Sequence, residues 1–302
     1  VSMSAIGAER GIIITTGKFH SVGSAAMSSP TRYRKLIKAY LVAEINALMH
    51  EKGWNAPQLA RVLGKHVNTV RSWLNGERLP DVANIRFICD ETEADPARKA
   101  YMEHVREQLN QGSEVVSDLD KRNLFIVEAA ERTYGSVFKW NPVLFPGLVQ
   151  TEAFHMKLLP DPLDDPAQKV KHWKRKERRG NDFFGRLQDG DPLEGEFYLP
   201  ASAFGYLDRL TSKEKTDQIE RLVTIDSLPG CKVQVVRSPF LAPFAFESFK
   251  AEGRPDAGPD FVYVEALDQS RHVVDPEKLG LYDQRCSLLR ADAQRIGRFL
   301  DG

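Results

Sequence analysis

Residues 55–76, NAPQLARVLGKHVNTVRSWLNG, decide how this chain is read. They hold two short amphipathic helices with a glycine between them. In the first, Asn55 stands as N-cap with Gln58 three residues on, the spacing of a capping box, and Pro57 falls in the tolerant first turn. Leu59, Ala60 and Leu63 form its apolar stripe, and Ala60 is small where a second helix must come close. Gly64 follows, and glycine readily takes the left-handed backbone that closes a helix. The next helix spans about 67–75, turns Val70, Trp73 and Leu74 inward, and stops before Gly76. His66 stands at its N-cap, where an imidazole caps less well than Ser, Thr, Asp or Asn.

Working outward, residues 32–51 predict an amphipathic helix with Ile37, Leu41, Ile45 and Leu48 on one face, ended by Gly53. Asp81 predicts the N-cap of a further helix carrying Val82, Ile85 and Ile88. Residues 96–110 read as a fifth helix, charged and largely exposed. The whole chain has a formal net charge of zero, yet residues 31–80 hold nine Lys or Arg and three Glu, a local excess of +6. A basic segment in a neutral chain is what a phosphate-binding face requires. Two short helices around a glycine turn suit insertion of the second into a major groove. Outward on that second helix stand Asn68, Thr69, Arg71, Ser72 and Asn75, preceded by Lys65 and His66.

This stretch resembles the helix-turn-helix of the phage-repressor (Xre) family, and VRSWLNGERLP (70–80) is similar to that family's helix end and exit turn. The likeness covers residues 32–92. The resemblance implies that Val67, Asn68 and Ser72 face base edges with Arg71 close by. Asn68 would bond adenine, Arg71 guanine or a phosphate, and Val67 would pack on a thymine methyl. Gln58, Lys65, His66, Thr69, Asn75 and Arg78 would contact phosphates, which set register without reading sequence. Trp73 is expected in the core.

The expected organisation is a disordered tail (1–29), a mostly α helix-turn-helix domain (30–110), a linker (111–118) and an α+β domain (119–302). Helices are predicted at about 119–133, 150–159, 166–187, 212–227 and 276–300, and strands at 194–199, 231–236, 244–250, 261–266 and 271–274. Phe244, Phe246, Phe249, Phe261 and Tyr263 alternate as core-facing strand residues do. The basic run KVKHWKRKERR (169–179) predicts a solvated helix face with Val170 and Trp173 inward. Pro146-Gly147 predicts a tight turn, with Gln150 or Thr151 capping the next helix. No stretch approaches the ~20 apolar residues of a membrane span. Cys89, Cys231 and Cys286 are too few and too scattered for a disulfide framework or zinc site, so reduced thiols, a cytoplasmic setting and no metal or cofactor are expected. No nucleophile elbow, phosphate loop or paired-histidine motif marks an enzyme.

The second half also carries a resemblance. LFPGLVQTEAF (144–154), LPGCKVQVV (228–236), FVYVEAL (261–267) and DPEKLGLYDQR (275–285) are similar to the C-terminal domain of actinobacterial WhiJ-like and Scr antitoxin-like regulators. That resemblance implies a sensing or partner-binding module, linked to a small protein encoded nearby. The two halves together predict a transcriptional regulator that acts as a homodimer on a palindromic operator, its second half binding a small partner protein or ligand. The alternative is an antitoxin-like protein that neutralises a small partner and binds DNA to regulate itself.

Overall fold

A computed structural model describes residues 29–111, 117–118, 124–159, 165–265 and 269–302. The predicted tail therefore lies outside the described residues but for Ser29, which already belongs to the first helix, and so do residues 112–116 of the linker.

Local caps build the helical half. α1 (Ser29–Glu51) buries Leu36, Ile37, Leu41, Ile45 and Leu48 along one face. α2 (Ala56–Leu63) begins in the capping box of Asn55 and Gln58 and ends on Gly64, whose φ of 61° is left-handed. α3 (Val67–Leu74) starts at His66 and buries Val70 and Trp73. α4 (Val82–Glu91) is capped by Asp81, whose carboxylate accepts from Asn84 N–H at 2.8 Å. α5 (Pro96–Gln111) corrects the expectation of an exposed helix, because it packs against α1 and α4 and buries Tyr101, Met102 and Val105. Its charges reach back to α1, where Arg98 pairs with buried Glu44 and with Glu51.

The second half is α+β around a mixed sheet. β1 (Ser117–Asp118) is followed by α6 (Phe125–Thr133), β2 (Ser136–Trp140), α7 (Glu152–Leu158), α8 (Pro166–Gln188), β3 (Glu194–Pro200), α9 (Ser212–Ser227) and β4 (Cys231–Val236). β5 (Phe246–Lys250), β6 (Phe261–Glu265), β7 (Gln269–Val273), α10 (Pro276–Asp292), β8 (Ala293–Arg295) and α11 (Ile296–Leu300) complete the chain. The strand order is β1-β7-β6-β5-β2-β3-β4-β8, with β2, β3 and β4 mutually parallel through helical crossovers and the other pairs antiparallel. One face packs Val137, Phe197, Leu199, Val233 and Phe249 against the helices that precede and join these strands. The other packs Phe138, Trp140, Tyr198 and Phe246 against Cys286 and Leu289 of α10.

Three departures from the sequence reading concern the sheet, and the first is β1, which lies in the expected linker and pairs with β7, Ser117 opposite Ser270. β2, the central strand, was not predicted, since SVFKW places a lysine in the middle of a short apolar run. The predicted helix 276–300 is instead α10, a three-residue strand and α11. β8 interrupts the helical periodicity by pairing with β4, Val236 opposite Ala293 and Gln234 opposite Arg295. Edge pairing overrides local helix preference there. Phe244 also departs, standing 74% exposed ahead of β5 while Phe246, Phe249, Phe261 and Tyr263 are buried.

The two halves touch. Arg132 of α6 reaches Glu44 of α1, and Tyr134 Oη donates to the Pro259 carbonyl at 2.8 Å beside Gly258, where a Cβ would press on Ala39 and Leu36. One hydrophobic cluster runs from Leu36 to Ile296.

Candidate nucleic-acid interface and basic cavity

The turn between α2 and α3 is held from both sides. Gly64 N–H donates to the Arg61 carbonyl at 3.2 Å and Lys65 N–H to the Ala60 carbonyl at 2.9 Å. His66 does cap α3, its Nδ1 accepting from Asn68 N–H at 3.2 Å. That bond requires a lone pair on Nδ1, so Nε2 carries the proton of the neutral ring and remains a donor. Leu59, Ala60, Val70 and Trp73 are buried between the helices and α1, which fixes the opposite face of α3 outward.

On that outer face Asn68, Arg71, Ser72 and Asn75 follow i, i+3, i+4, i+7 spacing. Asn68, Arg71 and Asn75 are exposed, while Thr69 and Ser72 are partly buried and the Ser72 hydroxyl donates to the Thr69 carbonyl at 2.7 Å. Val67 is partly buried against the hydrophobic cluster. Lys65, His66 and Arg78 are exposed near the two ends of α3, and Arg78 N–H donates to the Ser72 carbonyl at 3.1 Å. Gln58 is exposed with Oε1 taken up by Asn55 N–H, leaving Nε2 as its donor. Arg61, Lys65, Arg71 and Arg78 form no ion pair among the described residues, whereas Lys52 is tied to Glu93. Asn68, Arg71 and Asn75 thus share the exposed face of α3, with Lys65 and Arg78 exposed near its two ends.

A second feature was not singled out from the sequence. A cavity of about 480 Å³ opens in the α+β half, a volume typical of small-molecule sites. Its floor is the turn LFPGLVQ (144–150), a short 3₁₀ segment over Gly147–Val149. Gln150 Nε2 donates to the Phe145 carbonyl (2.6 Å), Gln218 Nε2 to the Val149 carbonyl (2.9 Å) and Arg221 Nη2 to the Leu148 carbonyl (2.9 Å). Thr151, not Gln150, caps α7, accepting from Phe154 N–H at 3.3 Å.

The wall is the basic run of α8, and here the expectation of a solvated face holds for only one side of the helix. Trp173 is buried as expected and Lys171, Lys174 and Arg178 are exposed, but Val170 is exposed too, and Lys169, Arg175, Lys176 and Arg179 are partly buried. Arg179 holds Glu131 through two bonds of 2.8 and 2.7 Å, and Arg175 holds Glu128. Lys139, 1% exposed on β2, donates to Glu131 at 2.7 Å and also pairs with Glu247. Burial would raise the Glu131 carboxyl, but Arg179 and Lys139 outweigh it and hold the group well below the usual carboxylate range. Lys176 differs, since its Nζ contacts Gln150 Oε1 at 2.6 Å and His155 Nδ1 at 3.0 Å. Burial, with Arg179 nearby, pushes Lys176 down to about 7, and burial with Lys176 pushes His155 down to about 4. The signal that could have found this site was the meeting of two motifs already visible, the Pro-Gly turn and the basic run.

Among the described residues no group of three or more His, Cys, Asp or Glu is placed to hold a metal, and no helix is long and apolar enough to cross a membrane. Cys89, Cys231 and Cys286 are free and buried, and burial pushes each thiol up to about 12.

The profile of a family described as a domain of unknown function (DUF5753) matches residues 127–297, and the chain belongs to that family. The match takes in the sheet but for β1, the LFPGLVQ turn and α8, and leaves α1 to α5 outside. No curated protein and no solved structure matches the chain.

Proposed function

We propose that the chain is a sequence-specific DNA-binding transcriptional regulator of the Xre helix-turn-helix type, with α3 as recognition helix and the α+β half as a ligand-sensing module. The observation that carries this reading is the outer face of α3. Asn68, Arg71 and Asn75 stand exposed there, flanked by Arg61, Lys65 and Arg78, while Val70 and Trp73 lock the opposite face into the core. Asn and Arg are the side chains best matched to adenine and guanine edges in the major groove. Cations left without carboxylate partners are available to displace counterions from phosphates. A single short helix reads few base pairs, so the protein acts as a homodimer on two half-sites about one helical turn apart, roughly 34–36 Å.

Footprinting of the purified protein on genomic fragments at two salt concentrations tests this. The expected result is a discrete palindromic site whose occupancy falls steeply as salt rises. Weak binding that is the same on every fragment would remove the reading.

A further inference from the structure

The charges around the cavity leave one cation over. Five cationic side chains line it, namely Lys139, Lys169, Arg175, Lys176 and Arg179, together with the carboxylates of Glu247 and Glu265. Glu128 and Glu131 stand behind the wall in ion pairs with Arg175, Arg179 and Lys139. Five positive groups against four negative ones leave a charge of +1, and two of the cations, Lys169 and Lys176, pair with no carboxylate among the described residues; of these Lys176 is the one set against the Pro-Gly turn. Among the described residues no carboxylate pairs with Lys176, whose contacts are the neutral Gln150 and His155. Lys169 donates to the Leu159 carbonyl, and His172 is exposed. Arg175 Nη2 is buried without a hydrogen-bond partner, a second N–H left over on the same helix.

Apart from Asn141 the rest of the lining is apolar or aromatic, with Trp140, Leu144, Phe145, Phe246 and Tyr263 among it. The Pro-Gly turn serves the cation directly. At Gly147 a Cβ would lie 3.4 Å from Lys176 Cε, an ordinary contact distance, so the lysine stem lies directly against the turn.

We infer that this cavity is a receptor for a small organic monoanion, a carboxylate on an apolar body, with the carboxylate on Lys176 and the body against Phe145, Phe246 and Tyr263. The inference rests on the sensing half of the proposed function and is independent of what α3 binds. One uncompensated positive charge is neutralised by one negative charge. A dianion such as inorganic phosphate would carry an excess charge past Glu247, and a neutral isostere would leave the ammonium unpaired. The depressed lysine agrees, because a buried ammonium without a counter-ion is held at a cost in stability that a bound anion offsets.

Calorimetric titration and thermal shift of the full chain, without DNA, test the proposal with benzoate, phenylacetate and hexanoate against benzamide and inorganic phosphate. At least one carboxylate binds and raises Tm, and benzamide and phosphate bind at least tenfold more weakly. Lys176→Met folds, is at least as stable as the parent without ligand, and binds that carboxylate at least tenfold more weakly. In the parent, the same carboxylate protects Lys176 from trinitrobenzenesulfonate, read by peptide mass. Absence of binding by all three carboxylates overturns the proposal, as does equal binding of benzamide or unchanged affinity in Lys176→Met. Because DNA is absent, either result leaves the footprint of the proposed regulator to stand or fall by itself.

Discussion

Replacing Glu131 by Gln removes one negative charge from the ion cluster that joins α6, β2 and α8. Glu131 is 2% exposed and accepts two bonds from Arg179 and one from Lys139, itself 1% exposed. In the variant Lys139, Arg175 and Arg179 share only Glu128 and Glu247, and Arg179 keeps a single distant carboxylate contact of 3.8 Å to Glu128. The amide is isosteric, so no cavity forms and the cost is electrostatic. Unpairing a buried ion pair costs about 3–5 kcal/mol. With a urea slope near ~3 kcal/mol/M, the midpoint falls by roughly 1–2 M at neutral pH. Equilibrium urea unfolding followed by circular dichroism measures it, with Lys139→Met added on the Glu131→Gln background to remove one of the stranded cations. The double variant recovers part of the loss. A loss below ~1 kcal/mol, or a double variant worse than the sum of its parts, would refute the reasoning, since the cluster would then not be the paired unit described.

Arg71→Ala weakens operator binding by roughly 1–3 kcal/mol if Arg71 contacts a guanine edge, and its footprint relaxes at one base pair per half-site; unchanged affinity in a gel-shift titration removes that role. Burial lowers the His272 imidazole to about 4, against an ordinary value of 6.5, with neither ring nitrogen partnered. The unfolded chain therefore binds the proton first, and stability falls as pH drops from about 6.5 to about 4, by as much as ~3 kcal/mol from this group. His272→Phe flattens that slope in chemical denaturation at stepped pH, with His155 supplying what remains; a slope identical to the parent's excludes His272 as its source. Gly230 sits at φ 78° with the space for a Cβ 2.3 Å from the Leu193 carbonyl oxygen. Gly230→Ala thus costs at least about 1–3 kcal/mol from backbone strain, before the clash is counted, and a thermal melt equal to the parent's would show that the β4 turn gives way freely.

What the sequence determined by itself was local. Asn55 with Gln58, Gly64, Asp81 and Thr151 act on backbone groups two to four residues away, so caps and helix limits in 55–91 could be read without knowing what packs on them. The α+β class and the strands β3 to β7 were equally legible, because their alternation or apolar runs sit between clear turn residues. Tertiary structure decided the rest. β2 became the centre of the sheet because Glu131 and Glu247 neutralise Lys139, a compensation that no window around SVFKW contains. Residues 293–295 left the helical pattern because β4 offered an unpaired edge. The basic run on α8 looked like solvent-facing charge, since Lys and Arg are cheapest in water. Only the arrival of Glu128 and Glu131 from α6, and of Gln150 and His155 from the Pro-Gly turn and α7, drew Arg175, Lys176 and Arg179 inward. The cavity therefore exists at the meeting of segments separated by tens of residues. The Lys176 ammonium, held by Gln150 and His155 and not by a carboxylate, is a property of that assembly, because a charge balance is summed in space and not along the chain.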